Sequence, residues 1–397
     1  MDIVKIGLNL LHARPEIGGG WNYIANIVRA FALSDCDYEV VAYCTDASAE
    51  IVPDDPRFRI RKVRLGGSWQ PARILYEQTI LPGVAYRDKL DCMHWFAGNH
   101  AFLSSMPAVV TLYDCVFIEQ PWEIPFAKRL YLSRMVKAAC KRARVVVPMS
   151  ESTAEAAIRL LGVAPERIVV VANPVDERYR PAALGDVQSF RRQFGLPPEF
   201  WLYVAHPYPH KNHARLFAAY KRLRETSGCS WPLVLRGGGC AKGDLADLER
   251  LACQLGVDRD IVWLPPLSLD DLVRLYGAAA AMVFPSLYEG CGIPLLEAMA
   301  CGCPVVASNI PTTMEFTGEA AVVFDPESAD EIYAAMRRFA DDLGLREQCR
   351  AAGLARARNY SAESTARKLM EAYRQAVGSR RAKDVAEINP AMQGKTT

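Results

Sequence analysis

The stretch from Val283 to Ala307, VFPSLYEGCGIPLLEAMACGCPVVA, restricts the fold of this chain more than any other. The apolar run Ala281 to Phe284 has a strand's length, and a glycine-punctuated turn of Glu289, Gly290, Cys291 and Gly292 follows it. Pro294 then opens a short apolar helix as its N1 residue, because its fixed φ suits a first turn and its missing N–H costs nothing there. Gly302 stops that helix, and Pro304 blocks its continuation and starts a second strand, PVVAS. Strand, loop, helix, strand is the repeating unit of an open parallel sheet, whose ligands bind at the carboxyl ends of its strands.

Two acids lie in this unit with seven residues between them. Glu289 falls in the loop, where a carboxylate can face a ligand. Glu297 is expected in the first turn of the helix, where the macrodipole favours negative charge and a carboxylate can take two hydroxyls of a ribose. The amides of Gly290, Cys291, Gly292 and Ile293 precede the helix, as an anionic or polyhydroxylated ligand requires.

The rest of the chain alternates strand-like and helical segments, which argues an α/β protein with parallel sheets. In the first half strands are expected at Val4 to Leu11, Tyr38 to Thr45, Phe58 to Leu65, Leu90 to Trp95, Ala108 to Tyr113, Val145 to Met149 and Ile168 to Val171. The pattern breaks at NPVDERYRPAALGD, Asn173 to Asp186, a candidate interdomain linker, and then resumes. At 397 residues the chain exceeds one ordinary core, so two domains are expected. A helix is expected over Ser361 to Val377, and the residues beyond it lack an apolar period and are expected to be a flexible tail.

A net charge of +2 gives no global attraction to nucleic acid. Twelve scattered cysteines include no CxxC pair, and MDIVKIGLNLL reads as a strand with no charged n-region or cleavage site, so a reducing cytoplasm is expected. Cys301 and Cys303 have no further thiol or histidine nearby for a zinc site. The triple glycine of VLRGGGC lacks the spacing and distal acid of a dinucleotide loop. Two basic clusters, Arg57 to Leu65 and the helix Phe126 to Ala143, read either as solvated faces or as surfaces that meet anionic lipid.

The string EGCGIPLLEAMACGCPVVAS resembles the E-x7-E signature of the retaining, nucleotide-sugar-dependent glycosyltransferases of family 4. Cys291 stands where that family usually has an aromatic residue. Further resemblances lie along the chain. Gly18, Gly19 and Gly20, between the first strand and helix, match the family's I-G-G-x-x-x-Y loop beside the donor diphosphate, with Ile17 and Tyr23. VVTLYDCVF is similar to V-V-T-x-H-D, which supplies groups beside the reacting sugar; Asp114 matches, and Tyr113 replaces the histidine. His94 and His100 are candidates to stand in for that imidazole. AHPYPHKN resembles the donor-diphosphate motif: Lys211 matches its lysine, His206 falls near the usual arginine, and Asn212 is a candidate helix cap.

The resemblance implies the GT-B fold, two Rossmann-like domains facing across a cleft: an acceptor domain over 1–172, a donor domain over 173–360, a helix over 361–378 returning to the first domain, and a tail over 379–397. It implies a donor held by Lys211, the amides near Gly290 and the ribose-binding Glu297, with Glu289 steadying charge on the sugar and Asp114 beside it. No carboxylate pair is placed as in glycosidases, so front-face substitution with retention is expected, without metal or other cofactor. The donor is expected to be a nucleotide sugar, GDP-mannose ahead of UDP- or dTDP-sugars. The acceptor is expected to be a saccharide or lipid-linked saccharide, and contact with anionic membrane is left open. An epimerase of the same fold and a non-catalytic sugar-binding protein remain alternatives.

Overall fold

The computed structural model describes residues 3–15, 19–35, 37–64, 70–237 and 245–388, with side chains as far as 378. Ile17, Gly18, the second and third glycines of VLRGGGC and the tail beyond 388 lie outside these residues. The chain forms two compact units, Met1–Pro174 with Ala362–Thr397, and Val175–Ser361.

The first unit holds β1 (Val4–Asn9), β2 (Tyr38–Cys44), β3 (Phe58–Lys62), β4 (Cys92–Trp95), β5 (Ala108–Leu112) and β6 (Val145–Pro148). They form one sheet in the order β3-β2-β1-β4-β5-β6, and every pairing is parallel. The second unit holds β7 (Trp201–Val204), β8 (Leu233–Arg236), β9 (Ile261–Leu264), β10 (Ala281–Phe284), β11 (Val305–Ser308) and β12 (Ala321–Phe324). Their order, β12-β11-β10-β7-β8-β9, repeats the same topology. Each sheet reverses direction of growth once, between β1 and β4 and between β7 and β10. Loops leaving those paired strands run to opposite sides and leave a crevice at the carboxyl edge. Both units are therefore Rossmann-like.

Strands β5, β6, β7, β10 and β11 are buried along their whole length, as strands covered on both faces must be. In the first unit the terminal helix Ala362–Ile388 packs against the helix Gly19–Ala32 on one sheet face. His94 locks it there: its Nδ1 lies 2.7 Å from the Tyr373 hydroxyl and its Nε2 2.7 Å from Thr111 Oγ1. That helix runs ten residues past the expected end at 378, through residues expected to be a flexible tail.

One other expectation changes. Ile168–Val171 adds no strand; Val169 and Val171 donate to the β6 carbonyls of Val146 and Pro148, but the ladder is a single bridge that stops before Pro174. The basic run at β3 stays about half exposed, as a solvated face does, while its side chains pair with acids. Arg57 donates to Ala32 and Ser34 carbonyls and pairs with Asp55, Arg59 and Arg61 both pair with Asp88, and Lys62 with Asp46. Charges on an edge strand also deter pairing with another chain.

Candidate active site

The loops that leave β7 and β10 flank the crevice of the second unit. After β7 the chain makes a short turn, Pro209–Lys211, before the helix His213–Thr226. Tyr203 on β7 donates to the Lys211 carbonyl at 2.7 Å, and Leu287 N donates to the His210 carbonyl at 2.7 Å, which ties the two loops together. Lys211 Nζ then meets Glu289 Oε1 at 2.6 Å, with both side chains largely shielded from solvent. The same ammonium lies 5.8 Å from the centre of the Phe284 ring. Thr312 donates to the Glu289 carbonyl at 2.9 Å and holds the loop from the other side.

Asn212 sits at the head of the helix with φ +61°, a conformation Asn tolerates better than most residues. Its side chain does not cap the helix. Nδ2 donates instead to the carbonyls of Pro285, at 2.9 Å, and Pro326, at 2.7 Å, so the expected cap is a cross-brace between loops.

Gly292 opens the helix Ile293–Ala300 in the left-handed region, φ +61°, with no side-chain cap. In that first turn Pro294 has no N–H and Leu295 N donates to the Gly292 carbonyl at 2.9 Å, which leaves the Ile293 amide for a ligand or solvent. Cys291 is buried beside it. Ile293 is N1 and Pro294 is N2, one place later than expected. Glu297 is consequently in the second turn, not the first, and is only 7% exposed. Tyr276 donates to its Oε2 at 2.8 Å. Burial raises the Glu297 pKa to about 7, while hydrogen bonds from Tyr276 and Tyr179 and the charge of Arg236 oppose the rise. The helix ends in a Schellman motif: Gly302 at φ +73° donates to Met299, and Cys303 donates to Ala298.

Arg236, the last residue of β8, is a site residue that the sequence reading missed. Its charge, after burial and ahead of Lys211, depresses the His206 pKa, and it also acts on Glu297. Its Nε is buried without a hydrogen-bond partner. Next to it, Gly237 leaves no room for a side chain, since a Cβ would lie 1.7 Å from the Ala205 carbonyl oxygen. His206 therefore leaves the second positive charge to Arg236. The VLRGGGC signal was visible, but the pairing of β8 with β7 was needed to bring it here.

The structure gathers His206, Lys211, Glu289, Gly290, Cys291, Gly292, Ile293 and Glu297 on the loops and helix of one crevice. Gly19, Gly20 and Asp114 lie in the first unit. The glycines are the first two residues of the helix Gly19–Ala32, not loop residues, and Gly19 has open space around it. Asp114 follows β5 and accepts from Val116 N at 3.0 Å. His94 does not stand in for the missing imidazole, because both its nitrogens are engaged in the core. His100 stacks on Trp95, whose side chain leaves β4 on the face opposite His94. Among the described residues no three His, Cys, Asp or Glu side chains come together to hold a metal ion.

Two families match, described as Glycosyltransferase Family 4 over residues 17–179 and Glycosyl transferases group 1 over residues 186–356. O-antigen chain mannosyltransferase B of Escherichia coli is 31% identical over 269 residues, covering 67% of this chain and 70% of the relative. The serotype-specific mannosyltransferase WbdA of the same organism is 29% identical over 332 residues, 80% of this chain; the chain spans only 40% of that longer relative. Among solved structures, sucrose-phosphate synthase from Thermosynechococcus elongatus superposes with a TM-score of 0.75 at 19% identity, over 95% of this chain and all of the other. HepE of Anabaena, in complex with UDP and glucose, gives 0.72 at 18% identity over 93% and 98%. These structures share the fold, GT-B. Family matches across both units, and a relative above 30% identity over two thirds of each chain, make this chain a member of glycosyltransferase family 4.

Proposed function

We propose that this glycosyltransferase moves mannose from GDP-mannose to a saccharide or lipid-linked saccharide acceptor, with retention at the anomeric carbon. The observation that carries the reading is the 2.6 Å pair of Lys211 and Glu289 at the crevice between β7 and β10. Lys211 has three N–H donors; one holds Glu289, and two are left for diphosphate oxygens. Arg236 and the uncapped amides of Gly292 and Ile293 add positive potential, so the leaving diphosphate is stabilised by fixed charges and dipoles rather than by a metal. Glu289, fixed by Lys211, faces the sugar and steadies the charge that grows as the glycosidic bond breaks. Glu297, between its tyrosines, binds the ribose. Asp114, Gly19 and Gly20 of the first unit take, in this proposal, the roles that the family resemblance implies.

In this reaction the leaving phosphate oxygen takes the proton of the attacking hydroxyl, and positioning supplies most of the acceleration. Mannose is favoured because the relatives at 29–31% identity carry mannosyltransferase names. A cytoplasmic site is favoured because no disulfide joins any two of the ten described cysteines, and no described helix is long and apolar enough to cross a membrane. Thermal-shift screening of GDP-, UDP-, dTDP- and ADP-sugars tests the donor, with the largest shift expected for GDP-mannose. No shift with it, or turnover of a nucleotide sugar without any acceptor, contradicts the proposal. Product anomeric configuration by NMR tests retention, and undiminished turnover in EDTA tests metal independence.

A further inference from the structure

The first unit has its own crevice, between the carboxyl ends of β1 and β4, and it holds buried polar atoms with no hydrogen-bond partner among the described residues. His12 lies three residues beyond β1. Its Nδ1 and Nε2 are both shielded from solvent, and neither has a hydrogen-bond partner among the described residues. Phe96, directly after β4, faces it at 6.3 Å between ring centres. Phe96 packs on Tyr23 at 6.4 Å, and Tyr23 on Tyr113 at 5.4 Å. Tyr113 directly follows β5, and its hydroxyl is likewise buried and unpaired. Arg73 contributes a fourth such atom, Nε, while its Nη1 is held 3.1 Å from Glu77 Oε1. Glu77 accepts in turn from Asn9 Nδ2, at the end of β1, at 2.9 Å.

An unpaired buried polar atom costs about 1–3 kcal/mol, and native proteins hold few of them. Three side chains bearing such atoms at a switch-point crevice are arranged for a ligand. The atoms also say which chemistry fits. Burial, with the charges of Arg73 and Arg14, depresses the His12 pKa to about 3. The ring is then neutral and offers one donor and one acceptor, and the phenol of Tyr113 offers both as well. Sugar hydroxyls need that mixture; a phosphate, which only accepts, would face a lone pair on His12.

We propose that His12, Tyr113 and Arg73 bind hydroxyls of a substrate sugar. This rests on membership of the glycosyltransferase family and not on the choice of GDP-mannose. The sugar can be the donor's or the acceptor's, and the test separates the two.

With whichever donor the wild-type protein turns over, kcat and KM for donor and acceptor are measured for His12→Ala, His12→Asn and Tyr113→Phe. At least about a tenfold fall in kcat/KM is expected for His12→Ala, partly restored in His12→Asn, whose neutral amide keeps a donor and an acceptor. If the sugar is the donor's, affinity for the nucleotide sugar falls while affinity for the free nucleotide diphosphate holds. If it is the acceptor's, KM for acceptor rises and donor binding holds. Tyr113→Phe removes an unpaired buried hydroxyl, so it should raise Tm while lowering kcat/KM, a combination that a packing role does not produce. Unchanged kcat/KM for both substrates in His12→Ala overturns the proposal. Should that variant not fold, unchanged kcat/KM in Tyr113→Phe overturns it equally. Failure of the donor assignment shows in the wild type, whereas failure here shows only in the variants.

Discussion

At the scale of residues, Lys211 and Glu289 work as one group. Glu289→Gln keeps the shape and removes the charge that fixes Lys211, so kcat should fall on the order of 10²-fold or more, with fold and Tm little changed. Retained turnover in a transfer assay would place the chemistry elsewhere. Glu297 makes a second, independent prediction. Its pKa is about 7 in the folded protein against an ordinary value of 4.5. The folded state therefore holds a proton that the unfolded chain releases between those values. Stability from this group is fully present below pH 4.5, declines as pH rises and is lost above about 7, a swing of roughly 3 kcal/mol. Glu297→Gln should remove that decline from the Tm profile over pH 4.5 to 8, and an unaltered profile would assign the buried proton to another group.

At the scale of elements, the helix Phe126–Arg142 turns apolar side chains outward beside its basic ones. Arg129 is drawn back by a hydrogen bond to the Pro121 carbonyl and by the Phe126 ring, 5.3 Å away. The outward face carries Phe126, Leu130 and Tyr131, all exposed, with Trp122 just before the helix. Arg134, Lys137, Lys141 and Arg142 lie exposed further along. Exposed aromatics beside basic residues suit an anionic lipid surface. Co-sedimentation with vesicles containing phosphatidylglycerol should exceed that with phosphatidylcholine alone. Replacing Phe126 and Leu130 by Ser should remove most of the difference, and equal binding to both vesicle types would exclude the contact.

At the scale of the whole molecule, one chain builds the same strand order twice and then returns its last helix to the first unit. That helix buries Leu369, Met370 and Tyr373, and Tyr373 occupies one nitrogen of His94. Ending the chain at Ser361 uncovers this apolar face and leaves His94 half-paired. The unfolding transition of the first unit should move to markedly lower temperature in differential scanning calorimetry, and an unmoved transition would mean the helix adds little.

The amino-acid order determined the elements by itself. Apolar runs, the glycines at 292 and 302 and the Pro after the second of them fix strand, helix and stop locally, so the Glu289 loop, the Lys211 turn and the terminal helix were readable from neighbouring residues. Tertiary structure decided what depends on which strands lie side by side. Pairing of β8 with β7 brought Arg236 into the site, burial between Tyr276 and Tyr179 changed the proton affinity of Glu297, and the adjacency of β1, β4 and β5 gathered His12 and Tyr113 from segments a hundred residues apart. Periodicity reports one element's own face, and only packing assigns that face its neighbours.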